Sequence, residues 1–211
     1  MLEMLGRQGY ETISIPDKIT IGNIRSMLES GNPNPIVAEI GIGIGATSKH
    51  IAELLNNRGE YHLYDFEGRA KALMNDLSAI GYYNVKIFEN SRRHWDSYHW
   101  SLLDRVRNCQ KEVYDYIYLD GAHTFLHDCL AYILCDKLLK VNGVIDFDDY
   151  YWRFLGSAHM SNTRDEFMTQ EQIEERQIKL VIDLFVKNNS RYEEVSPNKA
   201  YRKLSNSQDY D

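Results

Sequence analysis

The chain is poor in the residues that mark stapled, membrane-bound or polyanion-binding proteins. Its three cysteines, Cys109, Cys129 and Cys135, are an odd number with no Cys-x-x-Cys spacing, which argues against a disulfide framework or a cysteine-rich zinc site and leaves reduced thiols. Hydrophobic runs are short, and none approaches the roughly 20 residues of a membrane span. The opening MLEMLGRQGYETISIPDK carries acidic and polar residues where a secretion signal has a continuous apolar stretch, so a cytoplasmic location is the expectation. Basic clusters are missing as well. With 24 Lys and Arg scattered among 31 Asp and Glu, the formal net charge is −7, which argues against a nucleic-acid backbone or an anionic membrane as partner and for a small molecule. No internal repeat is visible, and the only low-complexity piece is the polar end at 205–211, expected to be disordered. What remains, 43% hydrophobic over 211 residues, is enough for one core and one domain.

That remainder alternates. Apolar runs at 36–40, 61–64, 85–88, 114–119 and 143–147 are short and rich in Val, Ile, Tyr and Phe, as strands are, and helical patterns at 46–57, 67–80, 96–108 and 124–139 lie between them. Such alternation implies βαβ crossovers and a parallel sheet covered on both faces. After Asp149 the rhythm changes to a charged amphipathic helix, roughly 170–187, and two strand-like pieces, RYEEVS and KAYRKL, joined at Pro197 and Asn198 as a hairpin. Near the start, IGNIRSMLESG reads as a helix stopped by Gly31 and Pro33.

The most informative segment is VAEIGIGIGAT at 37–47, a buried strand carrying Glu39 that runs into Gly41, Gly43 and Gly45 before a helix. Missing side chains there let the backbone approach a ligand, and the helix N-terminus points at it. Gly41, Gly43 and Ala46 also satisfy the GxGxx(G/A) fingerprint, so the loop specifies an adenine nucleoside cofactor without choosing between NAD and S-adenosylmethionine. The second strand ends at Asp65, which can accept hydrogen bonds from ribose hydroxyls; Glu67 competes for that role, and either acid can instead cap the helix that follows. Ser91, after the third strand, can reach an adenine edge or lie in a solvated turn.

YLDGAHTF and VIDFDDYYW place Asp120, Asp148 and Asp149 at the ends of the fourth and fifth strands, along one edge. Ligands bind outside the carboxyl ends of the strands in open α/β sheets, so these acids would converge on the nucleoside site. Three clustered anions call for a positive charge among them, and Mg²⁺, which takes oxygen ligands, is the economical one. The alternatives are a helix cap for Asp120 and a solvated acidic loop for the pair. His123 stands three residues past Asp120 and is the candidate base, with His127 one turn onward as the fallback; His94 and His99 read as surface or substrate-wall residues. Tyr150, Tyr151, Trp152 and Phe154, with Trp95 and Trp100, can wall a sugar or planar ring or pack against a helix, and Arg92, Arg93 and Arg153 can meet an anion.

With EIGIGIGAT, LYDFE, ENS, DGAHTFLHD and LLKVNGVIDFDDY, roughly residues 34–204 resemble the class I S-adenosylmethionine-dependent methyltransferases, and among them the metal-dependent sugar and macrolide-sugar O-methyltransferases. The resemblance implies a Rossmann-like, doubly wound, mostly parallel seven-stranded α/β sheet with a C-terminal antiparallel hairpin. It implies a glycine loop, from Glu39 to Thr47, that holds the methionine part of S-adenosylmethionine, an acid at Asp65 that holds its ribose, metal ligands Asp120, Asp148 and Asp149, and His123 as base. The acceptor would be a small molecule with a hydroxyl group, most simply a sugar. The usual L-x-P-G-G turn before the fifth strand is replaced by LLKVNGV, with Val141 and Asn142 for Pro and Gly. Residues 1–33, including Tyr10, are expected to cover the mouth of the site or to build a homo-oligomer. An NAD-dependent oxidoreductase also explains the loop and Asp65 but leaves Asp148 and Asp149 without a role.

Overall fold

Seven strands form one sheet, in the order β3-β2-β1-β4-β5-β7-β6. The structure is a computed structural model that describes residues 1–93, 95–108, 112–157 and 164–206. His94, Cys109 and the end of the expected disordered tail therefore lie outside the described residues. In chain order, α1 (Lys18–Glu29) leads to β1 (Ile36–Ile40), α2 (Ala46–Leu55), β2 (Glu60–Phe66), α3 (Arg69–Ala79), β3 (Val85–Asn90), α4 (Tyr98–Asn108), β4 (Tyr114–Leu119), α5 (Phe125–Leu138) and β5 (Leu139–Phe147). Three short helices, α6 (Arg164–Phe167), α7 (Gln170–Glu174) and α8 (Gln177–Val181), precede a π-helical turn at Ile182–Val186 and the hairpin of β6 (Tyr192–Ser196) and β7 (Ala200–Lys203). Strands β1 to β5 pair in parallel, and β7 runs antiparallel to both β5 and β6. This is the Rossmann-like α/β fold expected from the alternating pattern.

Side-chain alternation along the strands divides the core between the two faces. Ala38 and Ile40 of β1 join Ile117, Leu119 and Ile145 against α4 and α5, whereas Val37 joins Tyr61, Leu63 and Tyr116 against α1, α2 and α3. Tyrosine serves as both filler and donor: the Tyr61 hydroxyl bonds Glu39, and the Tyr116 hydroxyl bonds Asp146, so each of two buried acids accepts a hydrogen bond inside the sheet. Among the described residues, no helix is long and apolar enough to cross a membrane.

Two expectations needed revision. The single helix at 170–187 is broken at Glu175 and Arg176, whose ψ angles of 150° and 83° leave the helical region, and the buried Gln177 side chain bonds helix ends freed nearby: its Oε1 accepts the Phe125 N–H at the start of α5 at 2.7 Å, and its Nε2 donates to the Gln172 carbonyl at 2.7 Å. The strand expected at 143–147 begins at Leu139, with a bulge where the pairing jumps from Tyr114↔Leu139 to Tyr116↔Val144. Asn142 takes a left-handed φ of 67° in that bulge, a conformation that asparagine tolerates better than most residues.

The sheet order reverses between β1 and β4. Backbone pairing runs one residue past the strand ends, from Gly41 N–H to the Tyr64 carbonyl, Asp120 N–H to Ile40 and Asp148 N–H to Leu119, at 2.8 to 3.0 Å. Gly41, Asp120 and Asp148 thus stand side by side at the switch point, where α/β sheets open a crevice.

Candidate active site

A cavity of about 870 Å³ occupies that crevice, a volume usual for a small-molecule site. The glycine loop forms its floor. Gly41 has φ +83°, and a Cβ there would lie 1.8 Å from the Asp120 carbonyl oxygen, so no side chain fits between β1 and β4. Gly43, with φ +50°, lines the cavity, and a Cβ on it would meet no atom within 4 Å; its backbone faces open space on the ligand side. Gly45 is the left-handed cap of α2 and packs against Leu73 and Leu2, outside the lining. Thr47 lines the cavity and accepts the Asp17 N–H on its Oγ1 at 3.0 Å.

Glu39 lines the same space although only 1% exposed; burial pushes its carboxyl up to about 8 despite the hydrogen bond from Tyr61. Asp65 accepts the Ile42 N–H at 3.1 Å and the Phe66 N–H at 2.6 Å, and Arg69 Nε lies 3.3 Å from its Oδ1. Arg69 also donates to the Gly43 carbonyl, bridging the glycine loop to Asp65. Neither Asp65 nor Glu67 caps α3. Its first-turn amides, those of Gly68 and Lys71, go to Glu89 Oε1 at 2.8 and 3.1 Å.

The acidic edge is divided between two cations. His123 Nε2 lies 3.0 Å from Asp120 Oδ1 and 3.3 Å from Asp149 Oδ2, with its ring 5.0 Å from that of Trp152. Burial alone would push the imidazole down, but the hydrogen bond to Asp120 and the charges of Asp120 and Asp149 outweigh it and hold His123 up at about 9. Both His123 and Asp149 have left-handed φ, +58° and +59°, so the backbone is held in uncommon conformations to bring them together. Asp148 turns to the other cation: Lys199 Nζ is 3.5 Å from Asp148 Oδ1, 2.7 Å from Asp17 and 3.1 Å from the fully buried Asp146. Burial and the neighbouring Asp120 charge push Asp148 up to about 7, against the pull of Lys199. Asp120, His123 and Asp149 offer ligand atoms within 4.8 Å of one another, two carboxylates and an imidazole, a donor set that fits a divalent cation once the imidazole is deprotonated.

A methyltransferase-domain family model matches residues 38–150, more than half of the 211-residue chain, covering the glycine loop through the acid pair. The chain belongs to this methyltransferase family. It is a class I S-adenosylmethionine-dependent methyltransferase. No curated protein matches it. Among solved structures, the methyltransferase is similar to a candidate caffeoyl-CoA O-methyltransferase from Staphylococcus aureus, at 19% identity and TM-score 0.62, over 96% of this chain and 91% of that one. It is also similar to the O-methyltransferase TomG from Streptomyces achromogenes, involved in tomaymycin synthesis and solved with S-adenosylmethionine, at 14% identity and TM-score 0.60, over 94% and 87%. A methyltransferase from Geobacter sulfurreducens follows at 13% identity and TM-score 0.57, over 92% and 83%. These likenesses show a shared fold.

In this methyltransferase the glycine loop fits S-adenosylmethionine: backbone is bare at Gly43, and Glu39, Thr47, Asp65 and Asp120 share one cavity wall. Glu67 and Ser91 are not among the lining residues; the Ser91 N–H donates to Asp96 at 2.7 Å, and its hydroxyl accepts from the Arg93 N–H at 3.3 Å. His127 bonds Thr124 at 2.8 Å through Nδ1, and the His99 ring lies 5.6 Å from it, so this pair forms a separate group. Trp152, Phe154 and Arg92 line the cavity; Trp95 and Trp100 are exposed outside it. Sequence reasoning missed Lys199, Asp17 and Arg69. Lys199 precedes β7, and its carbonyl accepts the Phe147 N–H at 2.8 Å, so knowledge that the hairpin pairs with β5 would have placed it beside the acids.

Proposed function

We propose that this enzyme is an O-methyltransferase that moves the methyl group of S-adenosylmethionine onto a hydroxyl of a small molecule, a sugar or sugar-containing metabolite, with Mg²⁺ held at the acidic edge and His123 as base. The observation that carries the reading is the convergence of Asp120, His123 and Asp149 on the cavity that the glycine loop also lines. Asp120 and Asp149 supply carboxylate oxygens for the cation, and Asp148, oriented by Lys199, adds charge to the same edge. A bound divalent cation lowers the pKa of a coordinated hydroxyl and fixes its direction of attack. Once Asp120 and Asp149 hold the cation, the proton these acids keep on His123 is released, and the imidazole, left out of the ligand set, then takes the hydroxyl proton at Nε2. Trp152 beside His123 offers a flat wall for the acceptor ring. Residues Thr12, Ile13, Ile15, Pro16 and Asp17 line the same cavity, which supports a substrate-covering role for residues 1–33, with the methyltransferase domain at 34–204. We place the enzyme in the cytoplasm.

A metal-independent transfer is the second reading, favoured by one observation: protonated His123 and Lys199 already offset the charge of the clustered acids. The test begins with calorimetric titration of metal-stripped protein with S-adenosylhomocysteine and with NAD. Micromolar binding of the first and none of the second is expected; NAD binding alone sinks the methyltransferase chemistry. Formation of S-adenosylhomocysteine from S-adenosylmethionine is then measured over a panel of free sugars, nucleotide sugars and catechols, with Mg²⁺ or EDTA. Turnover on a sugar that EDTA abolishes and Asp149→Asn reduces at least a hundredfold is the expected result. Turnover indifferent to EDTA transfers the case to the metal-independent reading, and turnover on catechols alone removes the sugar.

A further inference from the structure

The motif DGAHTFLHD ends in an acid, Asp128, that the chemistry above leaves without a role. Asp128 sits in the first turn of α5 with no solvent exposure. Both of its oxygens are engaged toward the preceding loop: Oδ1 accepts the Tyr98 hydroxyl at 2.5 Å, and Oδ2 accepts the Thr124 N–H at 3.0 Å. Tyr98, buried at the start of α4, accepts the Ala122 N–H on the same hydroxyl oxygen at 3.0 Å. The two amides so held flank His123, the residue with φ +58°. Non-glycine residues rarely adopt that conformation unless their surroundings hold them in it.

Gly121 closes the arrangement. A Cβ at this position would lie 2.4 Å from Asp128 Oδ1 and 2.5 Å from the Tyr98 hydroxyl, so the pair presses directly on the loop backbone. Capping of α5 accounts for only one of the acid's bonds: Thr124 Oγ1 accepts the His127 N–H at 3.2 Å and Asp128 Oδ2 accepts the N-cap amide of Thr124 in return, whereas the bond from Tyr98 comes from another helix. Burying a carboxyl is unfavourable unless its hydrogen bonds are made, and here every one it makes serves residues 98 or 124.

We propose that Tyr98 and Asp128 are positioning residues: a buried clamp on residues 120–124 that fixes the backbone of His123 and so aims its ring at Asp120 and Asp149. The functional consequence rests on the proposed role of His123 in methyl transfer; the positional claim does not. Neither side chain lines the cavity, so each acts through the loop.

The test uses the full chain with histidine labelled at ring carbon, the His123 signal being assigned with His123→Gln. Its Cε1–H shift reports the ring's place beside Trp152 and the two acids. Tyr98→Phe, which removes only the hydroxyl, and Asp128→Ala are each expected to move this signal, while those of His50 and His62 stay in place and S-adenosylhomocysteine binds within twofold of the parent. Asp128→Asn, which keeps an oxygen for the Thr124 amide, is expected to restore most of the parent shift. An unchanged His123 signal in both Tyr98→Phe and Asp128→Ala overturns the clamp, as does movement of all histidine signals together, which marks general loosening. On an acceptor found in the panel, kcat is expected to fall at least tenfold in Tyr98→Phe with KM for S-adenosylmethionine unchanged. If His123→Gln leaves kcat intact, the reading of His123 as base fails while the clamp, scored by the ring signal, stands; if His123→Gln abolishes turnover and Tyr98→Phe and Asp128→Ala leave kcat intact, the clamp fails.

Discussion

Replacing Lys199 by Met tests how the acidic edge is kept together. Lys199 is only 12% exposed and its ammonium faces Asp17, Asp146 and Asp148, so the variant leaves up to three carboxylates without their counter-ion in nearly the same packed volume. Removing one partner of a buried ion pair costs about 3–5 kcal/mol, because the remaining charge stays desolvated. The loss has a definite pH signature. Asp146 and Asp148 are both pushed up by burial, Asp148 to about 7, so at pH 5.5 Asp148 largely carries a proton and Lys199 has less charge to balance than at pH 8.0. Asp17 differs: burial would raise it, but the Lys199 charge more than offsets this and holds it low, so acid does not remove its share. In the parent, Lys199 is held above its ordinary value, so the ammonium itself begins to titrate only above pH ~10.4 and is charged at both pH 5.5 and pH 8.0; the difference between them comes from the acids. Urea unfolding at pH 5.5 and 8.0 is the assay. The variant should lose about 1–2 kcal/mol at pH 5.5 and about 3–5 kcal/mol at pH 8.0. Equal penalties at the two pH values, or a larger one in acid, would refute the account of Lys199 as the counter-ion of Asp146 and Asp148.

Three further outcomes follow from the same geometry. Gly41→Ala puts a methyl group 1.8 Å from the Asp120 carbonyl oxygen at φ +83°, and should cost at least about 3 kcal/mol by chemical unfolding together with loss of S-adenosylhomocysteine binding. Glu39, held near 8, keeps its proton in the folded state while the unfolded chain releases it above pH ~4.5, so the parent loses stability as pH rises from about 4.5 to 8; Glu39→Gln should remove a fall on the order of 3–5 kcal/mol, and an unchanged stability-versus-pH slope would contradict the burial argument. Mn²⁺, used as a paramagnetic probe, has to displace the proton that His123 holds up to about 9 if the imidazole is a ligand, so its apparent affinity should rise up to about tenfold per pH unit between 7 and 9; a flat profile removes the imidazole from the ligand set.

What could be read from the linear chain was what depends on local periodicity. The five parallel strands announce themselves as short apolar runs, and the glycine loop as a pattern whose bare backbone no other residue type supplies. The acids at strand ends were visible for the same reason: a parallel sheet fixes which end of each strand bears the crevice. Contacts made across the sheet were not visible. Glu89 caps α3 only because β2 and β3 pair with Asp65 opposite Glu89, a register that no local rule sets. The side chain of Gln177, at the break in the 170–187 helix, accepts the first amide of α5, 52 residues away, a contact that periodicity does not reveal.

The division of charge at the acidic edge shows why that limit matters for function. Read as a string, Asp120, Asp148 and Asp149 are three equivalent anions that require an external cation. Folded, they are inequivalent: Asp120 and Asp149 share His123, while Asp148 faces Lys199, which immediately precedes a strand whose place is decided by the antiparallel pairing of β5 with β7. Lys199 also reaches Asp17, whose own N–H bonds Thr47 at the first turn of α2. One buried ammonium therefore ties the segment before α1, and through Asp17 the helix after the glycine loop, to Asp148 at the end of β5, three parts that line one cavity. A mobile metal ion could balance the charge of these acids, but it would not by itself link the N-terminal segment to the hairpin. The lysine does both, which is why its removal should disturb the enclosure of the cavity as well as its electrostatics.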